Sequence, residues 1–246
     1  MSTSEKPAKA KRHALFARDN LLTSLMLVFP LWLAYQAGVI FLPDVDNGAD
    51  LITHRLIALC GGSKGQYLAL NAILAAAFLV LVLILRRSQR FAPWRLLPTV
   101  VESALYALTM GSLILYGMRL VGINPSLAVV KHAPEEVLTR AALALGAGVN
   151  EELVFRLGLL TGLTAFFEQL WGMRRWLAVA AGFVISAALF SAAHHVIGGE
   201  PWRLGPFVYR LGCGLFFAAL YQWRGLAIAV YTHALYDLYV MVVQWQ

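Results

Sequence analysis

YLALNAILAAAFLVLVLIL, residues 67–85, runs for nineteen residues without one charged side chain. At 1.5 Å per residue that is the length of α-helix needed to cross about 30 Å of hydrocarbon. Further runs of largely apolar residues occur near 21–42, 96–118, 137–165, 176–195, 206–222 and 225–243. The reading is an all-α, polytopic transmembrane helix bundle with about seven spans, six to eight being compatible with the pattern. Composition agrees: 60% of the 246 residues are hydrophobic and 13% charged, against about 45–50% and about 25% in soluble domains. Such an excess has no single water-soluble core to hide in, which excludes a soluble globular enzyme. The net charge of +7 comes from basic residues between apolar runs, not from one stripe, so no nucleic-acid partner is expected. Cys60 and Cys213 stand far apart without C-x-x-C spacing, which indicates neither a disulfide framework nor a zinc knuckle.

Residues 1–20 form a basic segment (Lys6, Lys9, Lys11, Arg12, Arg18), and 21–246 read as one integral membrane domain. Within it, 43–66 carries turn formers such as Pro43, Asp44, Asn47 and Gly61-Gly62 around a stretch able to lie in the interface. The loops divide unequally: twelve Lys and Arg fall in 1–20, 86–95, 171–175 and at Arg224, and five (Arg55, Lys64, Arg119, Lys131, Arg203) on the other side. The excess marks the cytoplasmic side, so the amino terminus is expected there. Trp94, Trp171, Trp176, Trp202, Trp223 and Trp245 fall at span ends, as aromatic belts require.

Ionisable groups inside spans are costly, and each is a candidate functional residue. Those so placed are Glu102, Glu151, Glu152, Arg156, His194, His195, Arg210, His233 and Asp237. Three clusters in three helices matter most. In Asn150-Glu151-Glu152-Leu153-Val154-Phe155-Arg156, adjacent positions differ by about 100°, and Glu152 stands at i,i+4 to Arg156 in the favourable acid-first order. Glu152 is expected to pair with Arg156, leaving Glu151 for another role; a purely structural ion pair is the competing reading. Glu135-Glu136 and Arg140 repeat the spacing sixteen residues earlier. Pro134 precedes that copy, however, and Pro followed by acids suits a helix start. The second cluster, Phe190-Ser191-Ala192-Ala193-His194-His195, sets two histidines among small residues that admit a neighbouring helix. The third places His233 and Asp237 on one face at i,i+4, able to orient an imidazole, ligate a metal or polarise a carbonyl.

The ordered set E-E-x-x-x-R, F-x-x-x-H and H-x-x-x-[N/D], each in an apolar helix, resembles the CPBP family of intramembrane peptidases, which includes the type II CAAX prenyl-protein endopeptidases and the bacterial Abi proteins. The resemblance covers about 136–243. It implies peptide-bond hydrolysis in the membrane, with Glu151 as general base on a water that His194 helps position, and with His233 and Asp237 stabilising the oxyanion. Glu152 and Arg156 are supporting residues. It favours a metal-free reaction with no cofactor, while the residues themselves leave a zinc site of Glu151, His194 and His233 open. No H-E-x-x-H occurs. Implied partners are a membrane protein or lipidated peptide substrate and membrane lipids, in a bacterial cytoplasmic membrane.

Other classes stay open. A membrane scaffold, transporter or immunity protein would use the same polar groups as helix glue. A cysteine transpeptidase would use Cys60 beside His54, although unpaired cysteines are usually small packing residues. Depth poses a further question. Counting from Trp176 carries His194 about 27 Å along its helix, while counting from Arg224 leaves His233 much nearer the basic side. A tilt, a shifted boundary or a different span count has to reconcile them.

Overall fold

The computed structural model describes residues 17–42, 61, 63–124, 137–197 and 201–243, and among these the only regular structure is helical. Helix α1 is Leu21–Phe41 and α2 is Lys64–Leu85. A short 3-10 turn, Pro93–Arg95, leads into α3, Leu96–Leu120. Helix α4, Val137–Glu152, passes without a break through a π-helical stretch, Leu153–Leu160, into α5, Thr161–Gln169. Helices α6, Arg175–Val196, and α7, Leu204–Arg224, follow, and α8, Leu226–Leu238, ends in a π-helical turn, Tyr239–Val243. With 137–169 and 226–243 each counted as one rod, the described residues hold seven rods, one on each apolar run of the sequence.

Among the described residues, five helices are long and apolar enough to cross a membrane: Leu21–Phe41, Gly65–Leu85, Pro93–Leu120, Arg175–Val196 and Leu204–Arg224. The other two rods are those that carry the Glu-Glu-Arg and His-Asp clusters. Leu79, Leu83, Leu105, Leu113 and Val184 are exposed on the outer surface, an apolar exterior that suits lipid and not water. The segment 43–60, the helix-start role of Pro134, Glu135 and Glu136, and the His54–Cys60 pair lie outside the described residues.

Polar side chains start and tie the helices. Asn20 accepts the Thr23 N–H at 2.8 Å and Ser63 accepts that of Gln66 at 3.3 Å, each satisfying a backbone donor left over at a helix start. A buried amide network and a ring stack tie α2 to α1. Tyr67 donates to Gln36 at 3.2 Å, Gln36 to Asn71 at 3.3 Å, and Phe29 stacks on Phe78 at 4.8 Å. At the centre, α4 and α8 meet backbone to backbone. A Cβ on Gly148 would stand 2.7 Å from the Ala234 nitrogen, so only glycine permits this approach.

The described parts of three basic loops, around Asp19, Arg95 and Arg224, come to one end. Asp19 donates its N–H to the Arg224 carbonyl at 3.1 Å, Arg95 pairs with Asp19 at 2.6 Å, and the Leu22 N–H bonds Gln89 at 2.9 Å. Helix α8 starts from that end directly after α7, because Gly225 adopts φ 103°, a left-handed conformation open to glycine. Thr161 Oγ1 bonds the Tyr221 hydroxyl at 2.8 Å, so the α7–α8 turn lies level with the start of α5. Helix α5 and the first turns of α6 therefore extend past that level. This overshoot is what reconciles the two depth counts: distance measured from Trp176 begins outside the level at which α8 begins.

Candidate active site

Four elements bring the three motifs together: the end of α4 with its π-helical stretch, the last turns of α6, the middle of α7, and α8. Glu151 and Glu152 end α4, both buried. Past them the backbone widens to π register, with the Thr161 N–H bonded to the Arg156 carbonyl five residues back. Such widened turns are common at functional sites. Arg156 still reaches back to Glu152, Nη1 to Oε1 at 3.0 Å, and its Nη2 donates to the Gly214 carbonyl of α7 at 3.0 Å. The guanidinium lies over the Phe190 ring at 4.5 Å and near that of Phe217 at 5.4 Å. A fully buried cation thus has a carboxylate, a carbonyl and two aromatic faces around it.

His233 is the hub. Its Nδ1 lies 2.8 Å from Glu152 Oε1, and its Nε2 lies 3.3 Å from Asp237 Oδ2 and 4.0 Å from Glu151 Oε2. Phe217 stacks on the ring at 4.4 Å, nearly parallel. Both nitrogens therefore face carboxylates, and the ring plane is fixed by an aromatic platform.

His194 closes the site from α6. Its Nδ1 donates to the Phe190 carbonyl one turn earlier at 2.9 Å. A carbonyl only accepts, so Nδ1 carries the hydrogen and Nε2 of the neutral ring presents a lone pair. That Nε2 lies 4.0 Å from Glu151 Oε2. His195 turns elsewhere, its ring 5.0 Å from Trp202. Glu102 does not join the cluster, whereas Arg210 on α7 lies within electrostatic reach of His194. Glu102 forms a two-point pair with Arg224 at 2.6 and 2.7 Å near the basic end, and Arg210 is partly buried on α7.

Among the described residues, no group of three or more His, Cys, Asp or Glu side chains is placed to hold a metal ion. For Glu151, His194 and His233 the reason is spacing. Tetrahedral zinc with ligand bonds of about 2.0–2.1 Å keeps its donors about 3.3 Å apart. Here both imidazole Nε2 atoms stand 4.0 Å from Glu151, and His233 is already turned onto Glu152 and Asp237. As placed, both imidazoles stand farther from Glu151 than zinc's ligands stand from one another.

Several contributors have no sequence motif: Phe217, the Gly214 carbonyl, the π-helical stretch, and the hydroxyl pair of Tyr209 and Tyr236 beside Asp237. A partial match to the family described as Type II CAAX prenyl endopeptidase Rce1-like covers residues 133–239, which take in every residue from Glu151 to Asp237. The resemblance drawn from the three motifs holds over that domain, which is less than half of the chain. No curated protein and no solved structure matches the chain.

Proposed function

We propose that the chain is an intramembrane endopeptidase that hydrolyses a peptide bond in a membrane-associated or lipid-modified protein or peptide, with Glu151 as general base and without a metal. The supporting observation is the 4.0 Å separation between Glu151 Oε2 and His194 Nε2, both acceptors. Two acceptors at that distance are too far apart to bond directly, but one water donates to both. With each O–H bond spanning about 2.8 Å, the angle at its oxygen is about 90°, close to the angle between water's own hydrogens.

From that position Glu151 takes a proton from the water while the oxygen attacks the carbonyl carbon. The electron pair of the C=O moves to its oxygen, and His233 Nε2–H, which lies 3.3 Å from Asp237 Oδ2 in the substrate-free site, turns its hydrogen bond to that oxyanion. A donor so placed in a dry site contributes on the order of 3 kcal/mol. Asp237 orients the imidazole, since an ionised carboxylate repels an oxyanion. The proton on Glu151 then passes to the amide nitrogen, the oxyanion's electron pair re-forms the C=O as the C–N bond breaks, and a carboxylic acid and an amine leave. Glu152 and Arg156 hold His233 and the end of α4 in place. Seven spans follow if the rods 137–169 and 226–243 also cross. Gathering the basic loops at one end supports a cytoplasmic amino terminus, and the resemblance to bacterial members supports a bacterial cytoplasmic membrane.

The experiment is a comparison of membrane proteomes from cells carrying the wild-type chain or Glu151→Gln. New carboxyl termini confined to the wild type support the reading. Identical termini in both refute it.

A further inference from the structure

Among the described residues the site is packed tightly toward the basic end and less tightly along α6 and α8 toward the opposite end. Between it and the basic end lies a packed apolar core, in which Leu25, Val28, Leu160, Leu220, Leu226 and Ile228 are all buried, backed by the Glu102–Arg224 pair. In the opposite direction packing thins along two helices at once. On α6, Phe190 is buried while His194, one turn farther from the basic end, keeps 18% of its side chain exposed. On α8, His233 is buried while Asp237, again one turn farther, keeps 20% exposed. Glu151 and Glu152, behind them, keep 2% and 0%. Helix α6 also stops at Val196, two residues past His194, whereas α8 continues into the turn Tyr239–Val243. His233 lies seven residues into α8, about 10 Å from the basic-end turn, so the reacting groups sit well inside a hydrocarbon layer of about 30 Å. Hydrolysis needs a path for water, and a path from the basic end would have to breach that core.

We propose that water and substrate reach Glu151 from the end opposite the basic loops. With those loops in the cytoplasm, the substrates are membrane-anchored proteins whose scissile bond lies in the outer half of the bilayer or just outside it, not tails presented from the cytosol. This rests on the peptidase reading for the reaction and on the packing alone for the route.

The route is tested in the full-length chain with Cys60 and Cys213 replaced, carrying His194→Cys, Asp237→Cys or Ser88→Cys singly. A membrane-impermeant maleimide is applied to right-side-out and to inverted vesicles. Labelling of positions 194 and 237 from outside only, and of the basic-end position 88 from inside only, is expected. Labelling of 194 and 237 from the same face as 88, or from neither face, overturns the proposal. Reporters with one span and the same candidate segment at the outer or the inner boundary test the substrate class. The outer one alone is expected to be cut, and cutting of the inner one alone overturns the proposal. If the wild type cuts neither while 194 and 88 label from opposite faces, the peptidase reading fails and the access route stands.

Discussion

Glu151→Gln and Glu152→Gln are the same chemical change at adjacent positions, yet the structure predicts opposite consequences. Glu152 is fully buried and serves two partners, Arg156 at 3.0 Å and His233 at 2.8 Å. The amide keeps one acceptor oxygen but loses the charge. Removing one member of a buried ion pair costs about 3–5 kcal/mol. The Gly214 carbonyl and the two aromatic faces surround Arg156 before and after the change, so they recover none of that loss. The retained amide oxygen recovers about 1 kcal/mol as an ordinary hydrogen bond, leaving a net destabilisation of about 2–4 kcal/mol. Glu151 stands 4.0 Å from both imidazoles, and its replacement by an isosteric amide is expected to destabilise the fold less than Glu152→Gln while lowering turnover by about 10²–10⁴. The assay is unfolding in detergent, followed by tryptophan fluorescence against denaturant, alongside the yield of monodisperse protein. A Glu152→Gln variant as stable as wild type, or a Glu151→Gln variant as unstable as predicted for Glu152, would refute this division of roles.

Other outcomes follow from the same geometry. His194→Ala should abolish cleavage while His195→Ala leaves most of it, since His195 packs on Trp202; peptide turnover on matched amounts of folded protein checks this. Asp237→Asn should depress activity over the whole pH range without extending it to higher pH, because Asp237 orients His233 at 3.3 Å; an extension to higher pH in the measured profile would instead make Asp237 a protonated donor. Gly148→Ala forces a methyl to within 2.7 Å of the Ala234 backbone, and overpacking of that kind costs about 1–3 kcal/mol, to be read as lost folded yield in detergent. Dialysis against a strong chelator should leave turnover unchanged, measured with and without added zinc.

What could be read from the sequence was whatever helical periodicity alone controls. The Glu152–Arg156 pairing follows from four-residue spacing, and the different aims of His194 and His195 follow from a rotation of about 100° per residue. The positions of the seven rods followed from apolar run lengths. Phe217 and Gly214 were not legible, because an aromatic and a glycine in an apolar helix look like packing residues until the histidine and arginine they serve are placed beside them. Neither was the π-helical stretch, since Val154-Phe155-Arg156-Leu157-Gly158 carries no residue pattern demanding a wider turn. Glu102 is recognisable as an ionisable group inside a span and Arg224 as a loop cation, but a pair separated by 122 residues exists only through tertiary packing. The depth conflict between His194 and His233 had the same origin. The rods do not all start at one level: α5 and the first turns of α6 run past the turn at Gly225.

The most direct test of the central claim, that Glu151 activates water for peptide hydrolysis, is the turnover of purified wild-type and Glu151→Gln protein in chelator-treated proteoliposomes, on a substrate identified from the membrane proteome and normalised to folded protein. The account predicts wild-type cleavage that persists without metal and a loss of at least about 100-fold in the variant. Near wild-type turnover by Glu151→Gln, or wild-type activity that appears only when a divalent metal is restored, would contradict it.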